Sequence, residues 1–326
     1  MKAVTCRRYG PPEVLAIETL ERPSPRRNEV LVRVSHSTVT SGDTRLRGFR
    51  SPMLFWLPLR LAFGLLRPRQ PITGMEFAGR VVELGSAVKG FKLGDRVFGM
   101  KVGGANAEYI AVKAKTALAR SPDRLSDEQC AATPFGALSA LTFIRDTASL
   151  RPGERILIYG ASGAVGLFAI QFAKLFGAHV TAVCSARNIQ MVLDQGADCA
   201  LDYARPDFRL EPEAYDVILD TVGATRFSAC RDALAPTGRH VFVEVDGRRL
   251  LQSLWTSFRS GPRVLCGFSA GDSSEDMALV ARHLDRGALR PVIDRYYDMA
   301  QIIEAHRYVE LRRKRGAVVV RIADGS

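Results

Sequence analysis

The run Arg155-Ile-Leu-Ile-Tyr-Gly-Ala-Ser-Gly-Ala-Val-Gly166 has the residue types and spacing of a turn that binds a pyrophosphate. A short apolar stretch reads as a buried strand, a glycine-rich turn follows, and Leu167–Phe176 continues as a helix that stops at Gly177. That order aims backbone N–H groups at a helix N-terminus toward an anion. Gly163 permits close approach, and Gly166 permits the helix to pack on the strand. Measured against G-x-G-x-x-G, the first glycine is replaced by Ala161.

The next strand ends Val183-Cys184-Ser185-Ala186-Arg187. Sites that prefer NAD place an acidic residue there for the ribose 2′-OH. None is present. Ser185 can hydrogen-bond a 2′-phosphate and Arg187 can neutralise it in a bidentate way. The cofactor expected is therefore NADPH, with Tyr203 closing over the adenine side.

Positioning such a turn requires a parallel, doubly wound sheet. Strands at Arg155–Tyr159, His179–Cys184, Tyr215–Asp220 and Arg239–Val245 alternate with helices around Ile189–Gln195 and Phe227–Leu234. Gly177, Gly196 and Gly238 stand where glycine follows a helix. Before this region the pattern differs. Val30–Val34, Phe77–Gly85, Asp95–Gly99 and Ala107–Val112 are short strands bounded by glycine, as in an antiparallel barrel-like domain. Ser126 starts a helix as its N-cap. Helices near Asp276–Arg286 and Met299–Leu311, and a strand Ala317–Ile322, return to the first domain. The expected fold class is α/β: a barrel-like β-rich catalytic domain, residues 1–121 and 266–326, plus a Rossmann nucleotide-binding domain, residues 122–265.

Composition excludes several classes. Apolar residues are 47% and charged residues 25%, as in an ordinary globular protein. The N-terminus lacks a signal peptide's apolar core. Met53–Leu66 is the most apolar run, but Pro58 and Arg60 interrupt it and it is too short to span a bilayer. It is expected to be a buried loop or helix beside the active site, in preference to a membrane-touching or substrate-entry flap. The six cysteines form no C-x-x-C pair, which fits reduced thiols in the cytoplasm. The net charge of +12 comes from arginine, since only eight of 46 basic residues are lysine. The arginines are dispersed, so nucleic acid is not expected as a main partner.

Several motifs in order resemble the zinc-independent medium-chain dehydrogenase/reductase family, within it the NADPH-dependent quinone oxidoreductases and enone reductases. They are Tyr9-Gly-Pro-Pro-Glu-Val-Leu15, Gly74-Met-Glu-Phe-Ala-Gly79, Gly94-Asp-Arg-Val-Phe-Gly99, Ala107-Glu-Tyr109, Gly160–Gly166, Asp220-Thr-Val-Gly223 and Ile302–Tyr308. The resemblance implies a GroES-like catalytic domain with an inserted Rossmann domain, an active-site cleft between them, and a homodimer. Zinc-dependent relatives carry an early cysteine and a His-Glu pair. Here the corresponding stretches read Ser37-Thr-Val-Thr-Ser-Gly-Asp43 and Gly74-Met75-Glu76. A catalytic zinc needs three protein ligands and an open position, so no metal site is expected. Alcohol oxidation, which needs a Lewis acid, is disfavoured. An electron-poor acceptor, a quinone or an α,β-unsaturated carbonyl, takes hydride at carbon directly.

The resemblance also implies site residues. Thr40 stands where the family often has an asparagine beside the nicotinamide and substrate, and Asp43 is retained, to orient the loop or Arg47 or to cap the following turn. Ser139 would contact the nicotinamide end, and Ser162, Gly163, Ala164 and Val165 would hold the pyrophosphate through their backbone N–H groups. Thr221, Val243, Gly267 and Phe268 would line the ribose and nicotinamide pocket. Asn106 departs from the aromatic residue common in relatives. His36 and His306 are expected to be packed or surface residues rather than catalytic ones. The stretch Arg47–Pro71, with Met53, Phe55, Trp56 and Leu57, is expected to shape an apolar pocket mouth for a bulky acceptor. Two alternatives stay open: a zinc-independent carbonyl or alcohol dehydrogenase, and a non-catalytic NADPH-binding protein that binds a partner or RNA.

Overall fold

The computed structural model describes residues 1–51, 53–267 and 273–323. Two compact units form. One comprises Met1–Phe135, Gly271–Gly287 and Pro291–Ser326; the other comprises Gly136–Ala270 and Ala288–Arg290.

In the first unit, strands β1 (Lys2–Cys6) and β2 (Leu15–Thr19) form an antiparallel hairpin. The larger sheet is built around β3 (Glu29–Thr38), whose Val30, Val32 and Val34 are buried. It pairs along one edge with β4 (Glu76–Leu84), which pairs with β5 (Arg96–Met100). Strand β6 (Tyr109–Lys113) pairs with the first half of β3, and β7 (Leu118–Arg120) pairs with β5. Register shifts between β3 and β4 bend the sheet, as bulges do in barrels. Helices α1 (Ser41–Gly48) and α2 (Met53–Phe63) lie in the β3–β4 connection. After β7 come α3 (Asp127–Ala131), started by a Ser126–Gln129 capping box, and α4 (Pro134–Leu141), of which only the first two residues belong to this unit. Glycine at 79 is required by close packing, because a Cβ there would collide with the Arg33 carbonyl oxygen.

The second unit is a six-stranded parallel sheet. Its strands are β8 (Arg155–Tyr159), β9 (His179–Cys184), β10 (Cys199–Asp202), β11 (Tyr215–Asp220), β12 (Leu234–Phe242) and β13 (Arg263–Cys266). Their spatial order is β10-β9-β8-β11-β12-β13. The order reverses at β8, so that strand's C-terminal end is the topological switch point where ligands of such sheets bind. Ile156, Leu157 and Ile158 are buried on both faces, as expected of a central parallel strand. Helices α5 (Ala164–Leu175), α6 (Ile189–Asp194), α7 (Phe227–Cys230) and α8 (Gly247–Ser257) occupy the connections.

The chain ends with α9 (Ser274–Asp285), β14 (Ile293–Asp298), α10 (Ile302–Glu310) and β15 (Ala317–Arg321). Strand β15 joins the second half of β3 in the first unit's sheet, and β14 runs parallel beside it. Among the described residues no helix is long and apolar enough to cross a membrane.

Three sequence expectations need correction. Gly238 does not follow a helix; it lies inside β12, which begins at Leu234 rather than Arg239. Gly177 and Gly196 do end helices with positive φ, 77° and 103°. The run Met53–Leu66 is not buried throughout: α2 takes up Met53–Phe63, and among the described side chains Met53, Leu57, Leu61 and Leu66 are exposed while Phe55, Leu59 and Phe63 are half-buried. Apolar content suggests burial but does not compel it.

Candidate functional site

The glycine turn joins β8 to α5. Gly163 is the N-cap of α5, and no side chain caps that helix. The first N–H groups of α5, from Ala164, Val165 and Gly166, therefore have no partner within the helix. A Cβ at Gly166 would collide with the Gly160 carbonyl oxygen, so the turn can close only around glycine. Gly163 differs. Its φ is −80°, and a Cβ there would meet nothing nearer than the Gly160 oxygen at 3.4 Å. The protein's own packing does not demand glycine at 163. What glycine preserves there is open space before the helix N-terminus, which is what a bound pyrophosphate needs.

Ser185 and Arg187 follow β9, where Ser185 is half-buried and Arg187 exposed. Asn188 ties this end to the glycine turn. Its buried side-chain amide donates to Ser162 Oγ and to Ser185 Oγ, both at 3.1 Å. Its Oδ1 is buried without a partner. Sequence reasoning missed Asn188, because the residues it bridges lie 26 and 3 positions away. Asp202, at the end of β10, stands level with Cys184 and accepts from the Ala204 N–H at 3.0 Å. Tyr203 is exposed beside it.

At the end of β11, Asp220 is fully buried and accepts four backbone N–H groups, from Val222 to Thr225, at 2.7–3.2 Å. This fixes the turn carrying Thr221, whose hydroxyl donates to the Tyr159 carbonyl at 2.8 Å. Val243 continues β12, with its N–H on the Asp220 carbonyl at 3.0 Å. Gly267 packs so tightly that a Cβ would lie 2.6 Å from Thr147 Oγ1. Ser162, Gly163, Ala164, Val165, Gly166, Ser185, Thr221 and Val243 thus all stand at or just beyond the C-terminal ends of the parallel strands. Ser139 is buried on α4. Phe268 lies outside the described residues.

The first unit holds a separate buried polar cluster. Thr40 is the N-cap of α1, and Asp43 completes a capping box. The Thr40 hydroxyl donates to Asp43 Oδ2 at 2.6 Å and accepts from the Asp43 N–H at 3.1 Å, while the Thr40 N–H donates to the same carboxylate oxygen at 2.8 Å. These bonds give both residues a structural duty. Thr40 Oγ1 also lies 3.7 Å from Met75 Sδ. Burial pushes the Asp43 carboxyl up to about 6 despite those hydrogen bonds.

Beside it, Glu76 is buried and pushed up to about 7, first by burial and further by the neighbouring Asp43 charge. Its two oxygens are both committed. Oε1 accepts the Phe135 N–H at 2.6 Å in the first turn of α4, and Oε2 accepts from the Thr38 hydroxyl. Asn106, buried, accepts from Ser37 Oγ at 2.8 Å and donates to Thr73 Oγ1 at 3.0 Å. His306 is fully buried and held neutral, its imidazolium pushed down to about 3 by burial and by Arg47. Among the described residues no three His, Cys, Asp or Glu side chains converge as a metal would require.

Residues 26–123 match the alcohol dehydrogenase GroES-like domain, and residues 195–320 match the family described as zinc-binding dehydrogenase. The mitochondrial NAD(P)H oxidoreductase RTN4IP1 of Danio rerio is 31% identical, over 91% of this chain and 84% of the relative. The chain belongs to the medium-chain dehydrogenase/reductase family. It is an oxidoreductase of the quinone-oxidoreductase-like branch, with a nicotinamide cofactor. The 2-methylene-furan-3-one reductase of Solanum lycopersicum is 29% identical, over 98% of this chain and 79% of the relative. The solved structure of a quinone oxidoreductase from Coxiella burnetii superposes with a TM-score of 0.85 at 26% identity, covering 99% of both chains. The α/β fold with a GroES-like and a Rossmann part is as expected from the sequence.

Proposed function

We propose that this oxidoreductase is NADPH-dependent and zinc-independent, and that it reduces quinones or α,β-unsaturated carbonyls. The observation that carries the reading is the fate of the positions where zinc-dependent relatives hold their metal. Met75 offers a thioether where histidine would stand, and both oxygens of Glu76 are engaged by Thr38 and Phe135. A soft, neutral thioether is a poor substitute for imidazole on zinc. With no Lewis acid to polarise an alcohol or ketone, the substrate must itself be electron-poor. The names of the relatives, an NAD(P)H oxidoreductase and a furanone reductase, support the same class.

In this reading the N–H groups of Ser162, Ala164, Val165 and Gly166 hold the pyrophosphate, that of Gly163 being spent on the Gly160 carbonyl at 3.0 Å, and Ser185 and Arg187 take the 2′-phosphate. Tyr203 covers the adenine side. Thr221, Val243, Gly267 and Ser139 serve the nicotinamide half. The cofactor supplies hydride from C4 of its reduced ring. Hydride adds to the acceptor's β-carbon or quinone ring, and a proton completes the product at the α-carbon or oxygen. Thr40 supplies a hydroxyl in the first unit, with Asp43 holding its orientation. The working oligomer is taken to be a homodimer, which sedimentation would test.

The test is oxidation of NADPH after exhaustive chelation, with 1,4-benzoquinone, 9,10-phenanthrenequinone and 2-cyclohexen-1-one, beside an NADPH binding titration. Turnover with at least one acceptor is expected. Tight binding with no turnover of any acceptor would overturn the reductase reading in favour of a cofactor-binding role.

A further inference from the structure

Helix α2 is built inside out. Its sequence, MLFWLPLRLAF, has one charged residue, Arg60, and that residue is turned inward. The guanidinium lies over three rings: Phe49 at 4.1 Å, Tyr9 at 4.2 Å and Trp56 at 5.1 Å. Its Nη1 donates to the Leu65 carbonyl at 2.8 Å, and the Tyr9 hydroxyl donates to the Phe63 and Gly64 carbonyls at 3.1 and 2.9 Å. These contacts pin the helix by its polar side. The outward face is apolar. Met53 is 93% exposed, Leu57 54%, Leu61 56% and Leu66 87%, with Leu65 also exposed; Trp56, one of the rings around Arg60, stands at the edge of this face and is 43% exposed. A continuous apolar face of this kind costs free energy in water and marks a surface that meets an apolar partner.

Charge identifies the partner. Between Asp43 and Glu76 the chain has six arginines and no acidic residue. Arg47 is spent on Glu310, and Arg50 shares that carboxylate at 3.2 Å. Arg67 and Arg69 carry no salt bridge among the described residues, and they stand just past the apolar face. A second copy of this chain would bring the same arginines opposite themselves, on a molecule already at +12. An anionic bilayer supplies what the segment lacks, apolar depth and negative charge together. At 11 residues the helix is about 16 Å long, too short to span a bilayer but suited to lie in its interface.

We propose that α2 and the turn after it, Met53 to Arg69, form a docking surface for an anionic lipid membrane. The apolar face enters the headgroup boundary, and Arg67 and Arg69 meet the lipid phosphates. The reductase reading is not needed for this inference, and the test does not use turnover.

The experiment is co-sedimentation of the full chain with vesicles of phosphatidylcholine alone and of phosphatidylcholine mixed with phosphatidylglycerol. The chain is expected to pellet with the mixed vesicles, more weakly at high salt, and poorly with phosphatidylcholine alone. Leu61→Glu with Leu66→Glu removes two exposed side chains and should weaken binding by roughly tenfold or more. Thermal unfolding checks that this variant still folds. Independently of it, Trp255→Phe leaves Trp56 as the one tryptophan, and its emission should shift to the blue on mixed vesicles. A chain that stays in the supernatant at low salt, or Trp56 emission that does not move, overturns the proposal. So does self-association without lipid that the Leu61 and Leu66 changes abolish, because that would assign the face to a protein partner.

Discussion

The 2′-phosphate assignment makes a measurable claim about cofactor choice. Consider Ser185→Asp combined with Arg187→Ala. Arg187 is exposed, so the charge-assisted bond it would give a phosphate is worth the low end of the usual 1.5–3 kcal/mol, about 1 kcal/mol after screening. An aspartate at 185 sets a carboxylate against the phosphate, which costs about 1 kcal/mol more at 4 Å in water. Together the changes should weaken NADPH by roughly 2 kcal/mol or more, about thirtyfold in Kd. NADH carries a hydroxyl at the same place, and a carboxylate can accept from it, so its affinity should hold or rise. Fluorescence titration with both cofactors gives the two constants. Ser185 Oγ also receives the Asn188 amide, which reaches on to Ser162 in the glycine turn. An equal loss for NADPH and NADH would therefore report a damaged turn. Arg187→Ala alone leaves that bridge in place and then decides: an unchanged NADPH Kd refutes the pocket.

Three further outcomes are expected. Thr40→Ala should cost about 1 kcal/mol of stability through the lost α1 cap and lower kcat with NADPH affinity unchanged, while Thr40→Ser restores both; full turnover in Thr40→Ala would leave the residue a cap only. Exhaustive chelation should alter neither turnover nor Tm, and activity lost on chelation and restored by zinc would refute the zinc-independent reading. Glu76 has its folded pKa raised from 4.5 to about 7, so its contribution to stability is full below pH ~4.5 and is lost as pH rises toward 7; Glu76→Gln should flatten the fall in Tm across that window, and an unchanged pH profile would show that Glu76 is not the titrating group.

The Rossmann half was the more legible part of the sequence. Its strands are short apolar runs with fixed neighbours in the chain, and the glycine at 166 is dictated by a collision one turn away. Such local constraints leave their mark on spacing. Strand β14 went unseen because Ile293–Asp298 is mixed in character and has no buried residue. Helix α8 did leave a signal, an Asp246 N-cap followed by leucines at helical spacing, and was overlooked. Gly238 misled for a related reason, since glycine after a helix and glycine inside a strand look alike without partners.

The site divides the same way. What depends on residue type alone is on the face of the sequence: methionine at 75 removes an imidazole wherever the loop goes, and no carboxylate directly follows Cys184, although Asp202 on the neighbouring strand stands level with it. What depends on contact is not. Asn188 matters because it holds two serines from different elements, and Glu76 because Thr38 and Phe135 meet on its two oxygens. The same distinction explains α2. Composition said only that the run was apolar, and apolar runs are usually buried. It took the stacking of Arg60 on Phe49, Tyr9 and Trp56 to show which face was spent on the protein and which was left for something else.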